Sequence, residues 1–346
     1  MQLIDIKSLT LNQLSQLFDE YEIPKFRANQ VFAWLSKGVC TFDEMTNLPL
    51  VFREKLSEIA YISKINLEKK LVSKKDGTVK YLFAFFDDNT VESVVMRYKY
   101  GNTICISTQV GCAMGCVFCA STKNGLVRNL SAAEMYDQVI FAQKDIGERI
   151  DNIVLMGMGE PLNNFDNVIN FMYNVNCDLG LNIGLRHISL STCGIIPGIQ
   201  RLAQLALPIN LSISLHSAFS DKRSELMPIN QTYPIAELMT ACIEYQNITK
   251  RKLYFEYSLI NGFNDTDEDA RGLVRLLSGC KRNCHVNLIR VNKISEIGYS
   301  PPSVAATTSF CDFLNNNGIS ATVRRKLGDD IFAACGQLKI KASLEK

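Results

Sequence analysis

The sequence predicts an α/β protein, with a helical module and a small β element ahead of a parallel sheet and its outer helices. Three observations carry this. The first sixty residues hold helical periodicity alone, the apolar period then shortens to two, and from about residue 101 strand-like and helix-like runs alternate.

The elements follow in order. Thr10 opens a helix through Leu11, Leu14 and Leu17 that stops near Pro24. A second, with Val31, Phe32 and Leu35, ends near Gly38, and a third follows Pro49 with Phe52 and Leu56 inward. Residues 64–73 and 78–85 read as strands about the turn Lys75-Asp76-Gly77, with Val91 to Tyr98 a third. Beyond residue 101 the expected strands are 103–109, 152–156, 186–191, 209–215, 253–259, 285–290 and 319–324, and the expected helices include 131–146, 196–206, 235–246 and 266–279. Ser131 with Glu134 and Thr266 with Asp269 have the spacing of capping boxes. This alternation fits an open sheet, a full barrel or a partial one.

Composition bounds the function. At 346 residues, 47% hydrophobic and 21% charged, the chain is globular and long enough for one large domain and an accessory one. The start has no basic head before an apolar core, and no apolar run approaches a membrane span, so a cytoplasmic protein without membrane contact is expected. Twelve irregularly spaced cysteines then imply a reducing setting rather than a disulfide framework. A net charge of +2 gives no overall argument for nucleic acid. Local clusters do: Lys64, Lys69, Lys70, Lys74, Lys75 and Lys80; Lys250, Arg251 and Lys252; and Arg324, Arg325 and Lys326. The first would serve equally as a solvated edge hairpin.

Cys112, Cys116 and Cys119 form a C-x3-C-x2-C cluster, three thiols in eight residues. The histidines, His187, His216 and His285, are far along the chain, so a four-ligand zinc site would be one ligand short. Three cysteines suit a [4Fe–4S] cluster with one iron left open to a small molecule, the signature of radical S-adenosylmethionine (SAM) enzymes. Ligands of parallel α/β folds sit at the carboxyl ends of strands. There the sequence places Gly157-Met158-Gly159-Glu160-Pro161, Ser191-Thr192, Ser214-Leu215-His216-Ser217 and Asn292. Gly157 and Gly159 lack the third glycine of a dinucleotide loop, and Glu160 would repel a pyrophosphate. A carboxylate beside glycines suits an ammonium group, although a tight turn with a solvated glutamate has the same pattern. Ser191, Ser214 and His216 can hydrogen-bond a ribose or carboxylate, and Cys193 is expected in the core.

Several longer runs resemble the RlmN/Cfr family of radical SAM RNA methyltransferases. They are Cys105 to Cys112, Met156 to Pro161, Ser224 to Asn230 and Ala333 to Gln337, with Phe26-Arg27-Ala28 and Trp34 extending the match over nearly the whole chain. The resemblance implies a partial (β/α)6-type radical SAM barrel at 98–330, an N-terminal helical/β accessory RNA-binding region at 1–97, and a C-terminal tail at 331–346. It implies a [4Fe–4S] cluster on Cys112, Cys116 and Cys119, and two SAM molecules per turnover. The SAM contacts it implies are Gly159, Glu160, Ser191, Ser214, Leu215, His216 and Asn292. Cys335 would carry the methyl group as S-methylcysteine, and a 5′-deoxyadenosyl radical would take a hydrogen from it. The carbon radical would add to adenine, Glu92 would accept the adenine proton, and Cys105 would release the product by forming a disulfide with Cys335. The implied partners are 23S rRNA, tRNA and an electron donor such as flavodoxin or ferredoxin.

Glu160-Pro161 and Arg324-Arg325 before Gly328-Asp329-Asp330 resemble the RlmN branch, which methylates adenine C2, rather than the Cfr branch, which methylates C8. Arg290 and Phe332 stand where RlmN relatives usually carry proline and aspartate. Two other classes remain to be separated. A radical SAM activase or dehydrogenase would have no use for the Cys105 and Cys335 pair, and an RNA-binding protein with structural zinc would hold no sulfide.

Overall fold

The computed structural model describes residues 3–280, 283–291 and 298–333. A short parallel pair, β1 (Ile4–Asp5) and β2 (Ala60–Tyr61), closes the first module around helices α1 (Leu11–Glu20), α2 (Phe26–Leu35) and α3 (Leu50–Ile59). Thr10 caps α1: its hydroxyl accepts the Gln13 N–H, and the Gln13 side chain accepts the Thr10 N–H at 2.8 Å. Ile6, Leu14, Phe18, Val31 and Leu56 are fully buried in a core of the module's own.

Strands β3 (Asn66–Val72), β4 (Val79–Ala84), β5 (Thr90–Tyr98) and β6 (Gly101–Cys105) form an antiparallel meander. At β6 the sheet turns parallel. After a side hairpin of β7 (Gln109–Gly111) and β8 (Leu126–Asn129), the parallel strands are β9 (Asn152–Leu155), β10 (Ile188–Thr192), β11 (Asn210–Ser214), β12 (Leu253–Leu259), β13 (Cys284–Arg290) and β14 (Ala321–Val323). All join one ten-stranded sheet in the order β14-β13-β12-β11-β10-β9-β6-β5-β4-β3. Among the described residues no pairing joins its edges, so the barrel is partial.

The crossovers carry α4 (Ala132–Ile146), α5 (Phe165–Asn176), α6 (Ile196–Leu205), α7 (Ser220–Leu226), α8 (Ile235–Thr249), α9 (Asp267–Leu276) and α10 (Val304–Asn316). The capping boxes at Ser131 and Thr266 are formed. Residues 66–98 share the sheet and its core with the strands that follow, so the β element is continuous with the parallel sheet. None of the described helices is long and apolar enough to cross a membrane.

One expected strand is corrected. Residues 103–109 do not run straight, because β6 ends at Cys105. Ser107 is captured there: its N–H donates to Gln138 Oε1 at 2.9 Å and its hydroxyl to the Glu92 carbonyl at 2.7 Å. The chain then bends into β7 and carries the cysteine loop with it.

Residues opposite each other in register share a face of a sheet. One face carries Cys105 beside Val154, Ser191 beside Ser212, Ser214 beside Glu256, and Glu256 beside Asn287. The opposite face carries Leu190, Ile213, Phe255 and Val286, all fully buried. Polar groups therefore gather on one side of the sheet, and the other side is mostly apolar.

Candidate active site

The cysteine loop is stitched to three elements. The Cys112 N–H donates to the Gly125 carbonyl at 2.9 Å, and the Val117 N–H donates to the Leu226 carbonyl at 3.1 Å. Phe118 meets the His216 ring edge-on at 4.7 Å. Cys112 and Cys116 are buried and Cys119 half-buried. Burial pushes the Cys112 thiol up to about 11 and Cys116 higher still, with the neighbouring cysteines and Glu160 adding to both. Such thiols lose their protons to a bound metal rather than to water. No three His, Cys, Asp or Glu side chains among the described residues converge on one point as a single ion demands. An iron–sulfur cluster takes one thiolate per iron, so three cysteines in one loop are a donor set that suits a cluster with one iron left open.

Glu160 lies directly behind the loop. Gly157 and Gly159 let this turn press against residues 106–109: a Cβ on Gly157 would stand 2.6 Å from the Ile106 oxygen, and Gly159 has φ +102°. Glu160 is buried, not solvated, and both its oxygens accept backbone hydrogen bonds, from Leu162 at 3.0 Å and Cys193 at 2.8 Å. Burial raises its pKa against the pull of these donors. A cationic ligand group would stabilise the ionised form here.

Ser191 and Ser214 sit at adjacent strand ends with hydroxyls 3.4 Å apart. Leu215 is fully buried. His216 adopts φ +58°, and its Nδ1 accepts the Ser258 N–H at 3.0 Å, which leaves Nε2 as the ring's donor. Burial, with Arg223 nearby, lowers its pKa to about 3, so the ring is neutral at physiological pH.

Arg223, absent from the expected site, is fully buried beneath these strand ends. It donates to the Cys193 carbonyl at 2.7 Å, the Ser214 carbonyl at 3.3 Å and Asn230 Oδ1 at 2.9 Å. Its Nε has no hydrogen-bond partner among the described residues. A buried cation beside Cys116 suits a cluster that is anionic with its three thiolates.

Glu92, Val94 and Cys105 share a face of β5 and β6, since Val94 pairs with Cys105. Cys105 is buried and lines a cavity of about 420 Å³ with Met156, Ile289, Arg290, Arg324 and Ala333. Arg324 reaches Glu256 at 3.3 Å, and Asn287 donates to the other oxygen of Glu256 at 2.9 Å. Arg290, in place of proline, donates to the Pro302 carbonyl at 2.8 Å. Phe332 is exposed. Cys335 and Asn292 lie outside the described residues.

Of the expected basic residues Lys80 alone is buried; Lys64, Lys69, Lys70, Lys74, Lys75, Lys250, Lys252, Arg325 and Lys326 are exposed, and several are paired within the protein. Lys80 pairs with Glu92 at 2.9 Å, Lys70 with Asp145 at 2.6 Å and Lys75 with Asp329 at 3.2 Å. Arg251 donates to the Ile209 carbonyl at 2.7 Å, while Arg325 and Lys326 line the cavity. The pattern that could have revealed Glu256 and Asn287 is the polar alternation along strands expected to be apolar on both faces.

The family profile described as the ribosomal RNA large subunit methyltransferase N-terminal domain matches residues 4–62, and that of the radical SAM superfamily matches residues 106–277. A relative from Alkaliphilus oremlandii (strain OhILAs), named probable dual-specificity RNA methyltransferase RlmN, is 54% identical over 341 residues, covering 99% of both chains. One of the same name from Clostridioides difficile (strain 630) is 48% identical and covers 98% of both. A crystal structure of a radical SAM methyltransferase from Sphaerobacter thermophilus shares the fold with a TM-score of 0.90 at 40% identity, covering 97% of this chain and 99% of its own. Full-length identity of this order, with the cysteine loop and the strand-end groups gathered at one mouth, means that the chain belongs to the RlmN family of radical SAM RNA methyltransferases.

Proposed function

We propose that this enzyme methylates C2 of an adenosine in the peptidyl-transferase centre of 23S rRNA, and the adenosine 3′ of the anticodon in some tRNAs. The observation that carries the reading is the shared face of Glu92 and Cys105 beside a cavity that Ala333 also lines. Ala334 alone separates Cys335 from Ala333 in the sequence. The relatives' name, dual-specificity RNA methyltransferase, supports two RNA substrates.

The family uses a [4Fe–4S] cluster and two SAM molecules per turnover. When bound on Cys112, Cys116 and Cys119, the cluster supplies the single electron that cleaves SAM. Glu160 faces the amino group of SAM, and Gly159, Ser191, Ser214, Leu215, His216 and Asn292 hold the rest of it. Cys335 accepts a methyl group on its sulfur by displacement, as a thiolate can. That carbon gives one hydrogen atom to the 5′-deoxyadenosyl radical and bonds to adenine. Glu92 takes the C2 proton, and the odd electron left on the adduct passes back to the cluster. Cys105 then attacks the Cys335 sulfur: the S–S bond forms, the S–C bond breaks, and the product carbon keeps the electron pair and gains a proton. The Cys105–Cys335 disulfide is reduced before the next cycle. Residues 1–97 contact RNA and also supply Glu92 and three strands of the sheet, residues 98–330 form the rest of the catalytic core, and residues 331–346 carry Cys335. A flavodoxin or ferredoxin supplies electrons in a reducing cytoplasm.

Mass spectrometry tests this. Cells lacking the protein are expected to lose 2-methyladenosine from 23S rRNA. A Cys105→Ala variant is expected to accumulate modified Cys335, because it cannot resolve the product. Loss of 8-methyladenosine in place of the 2-methyl species would assign the chain to Cfr-type chemistry, and an unmodified Cys335 would sink the carrier role.

A further inference from the structure

Lys80 was grouped by sequence with lysines that could contact RNA phosphates, yet its surroundings give it another task. Its residue is 7% exposed, and its Nζ lies 2.9 Å from Glu92 Oε2 and 3.0 Å from the Phe332 carbonyl oxygen. Register explains the first contact: Lys80 pairs with Val94, two residues along from Glu92, so the two are diagonal neighbours on the face that carries Cys105. The second contact ties the same ammonium to the backbone three residues before Cys335.

The turn between β3 and β4 grips that segment as well. Ser73 Oγ donates to Asp330 Oδ1 at 2.7 Å, and the Lys74 N–H donates to Asp330 Oδ2 at 3.1 Å. Lys75 Nζ lies 3.2 Å from Asp329, and the Gly328 N–H donates to Asp76 Oδ2 at 2.8 Å. Against the cost of burial, donors from Thr78, Gly328 and Ser73 hold Asp76 down to about 2, so it stays an acceptor at any working pH. A lysine meant for phosphate keeps its ammonium group in water. Lys80 instead is buried against Glu92, whereas Lys75 pairs with Asp329 while staying largely exposed.

We propose that Lys80 is a positioning residue for methyl transfer: it couples Glu92 to the backbone of residues 328–332, setting the carboxylate and the segment leading to Cys335 at one spacing beside Cys105. This deepens the reading above and rests on the roles it gives to Glu92 and Cys335. Losing an alignment of this kind costs on the order of 100-fold in rate for a displacement of about 1 Å.

The test compares Lys80→Met with Lys80→Arg in cluster-reconstituted enzyme on an rRNA fragment, measuring kcat, KM and amide hydrogen exchange of residues 328–333. Lys80→Met is expected to keep KM within about twofold, to lose about 100-fold in kcat and to speed that exchange at least about tenfold. Lys80→Arg is expected to restore at least about tenfold of the lost kcat. A kcat within about threefold of wild type would overturn the proposal. So would a raised KM with kcat unchanged, which is the behaviour of a phosphate contact. Should Lys80→Met not fold, the Ser73→Ala/Asp330→Ala pair loosens the same segment and must show the same loss in kcat, while an unchanged kcat overturns the coupling. Glu92→Gln and Cys335→Ala are run alongside. If they retain turnover, the underlying reading fails; if they are inert while Lys80→Met is active, only the coupling fails.

Discussion

A guanidinium buried with no carboxylate among its hydrogen-bond partners needs a compensating reason, and Arg223 has two. Its planar fork donates to the carbonyls of Cys193 and Ser214, at the ends of β10 and β11, and to Asn230. Burial lowers its pKa, while Cys193 and Cys116 draw it back up. A lysine offers a point charge and cannot span three acceptors set in a plane. Arg223→Lys and Arg223→Met are therefore both expected to lose about 2–4 kcal/mol in chemical denaturation, since each leaves buried acceptors unmet. Both should also weaken SAM binding at least about tenfold in anaerobic calorimetry. A lysine variant as stable as wild type would show that the fork geometry is not needed. Nothing local in Ser220-Asp221-Lys222-Arg223-Ser224 marks this arginine, which reads as part of an exposed helix until the strands on either side of it are brought together.

Elements explain what was legible in the sequence. The C-x3-C-x2-C loop, the Gly157–Glu160 turn and the serines at strand ends are local patterns, and the alternation from residue 101 fixed their common edge. Helix α5 was harder to see, because asparagines at 167, 170, 174 and 176 dilute its apolar face of Val168, Ile169, Met172 and Val175. Glu256, Asn287 and Arg324 meet only through the register of β12, β13 and the end of β14, which no single segment encodes. Gly157 combines both kinds of information: the motif flags it, and the structure supplies the reason. A Cβ there would meet the Ile106 oxygen at 2.6 Å and the Ser107 nitrogen at 2.8 Å, and backbone cannot yield as a side-chain tip can. Gly157→Ala is expected to lose about 1–3 kcal/mol by denaturation. It should also weaken SAM binding, because Glu160 rides on the displaced turn. Unchanged SAM affinity would mean that the turn relaxes without moving Glu160.

At the scale of the whole molecule, polar contacts fasten the helical module to the barrel. Lys7 Nζ lies 2.9 and 3.0 Å from the two oxygens of Asp137 on α4, and it also donates to the Ser63 carbonyl at 2.7 Å. The Asn174 side chain on α5 reaches the Leu9 carbonyl at 3.2 Å, and the Tyr136 hydroxyl meets Ser36 Oγ at 3.2 Å. Burial pushes Asp137 up to about 6 while the Lys7 ammonium pulls it down. A buried ion pair adds little over an apolar pair of the same volume, whereas breaking one leaves a lone buried charge. Lys7→Met and Asp137→Leu are each expected to cost about 3–5 kcal/mol. The double variant should regain most of that, short of about 1 kcal/mol for the Ser63 carbonyl it leaves unmet. Urea denaturation of the four proteins gives the cycle. Because the module has a core of its own around Phe18 and Leu56, the single variants should also unfold in two steps, with the module released first. Single losses that simply add in the double variant would show that the two side chains act independently and that this pair does not fasten the module.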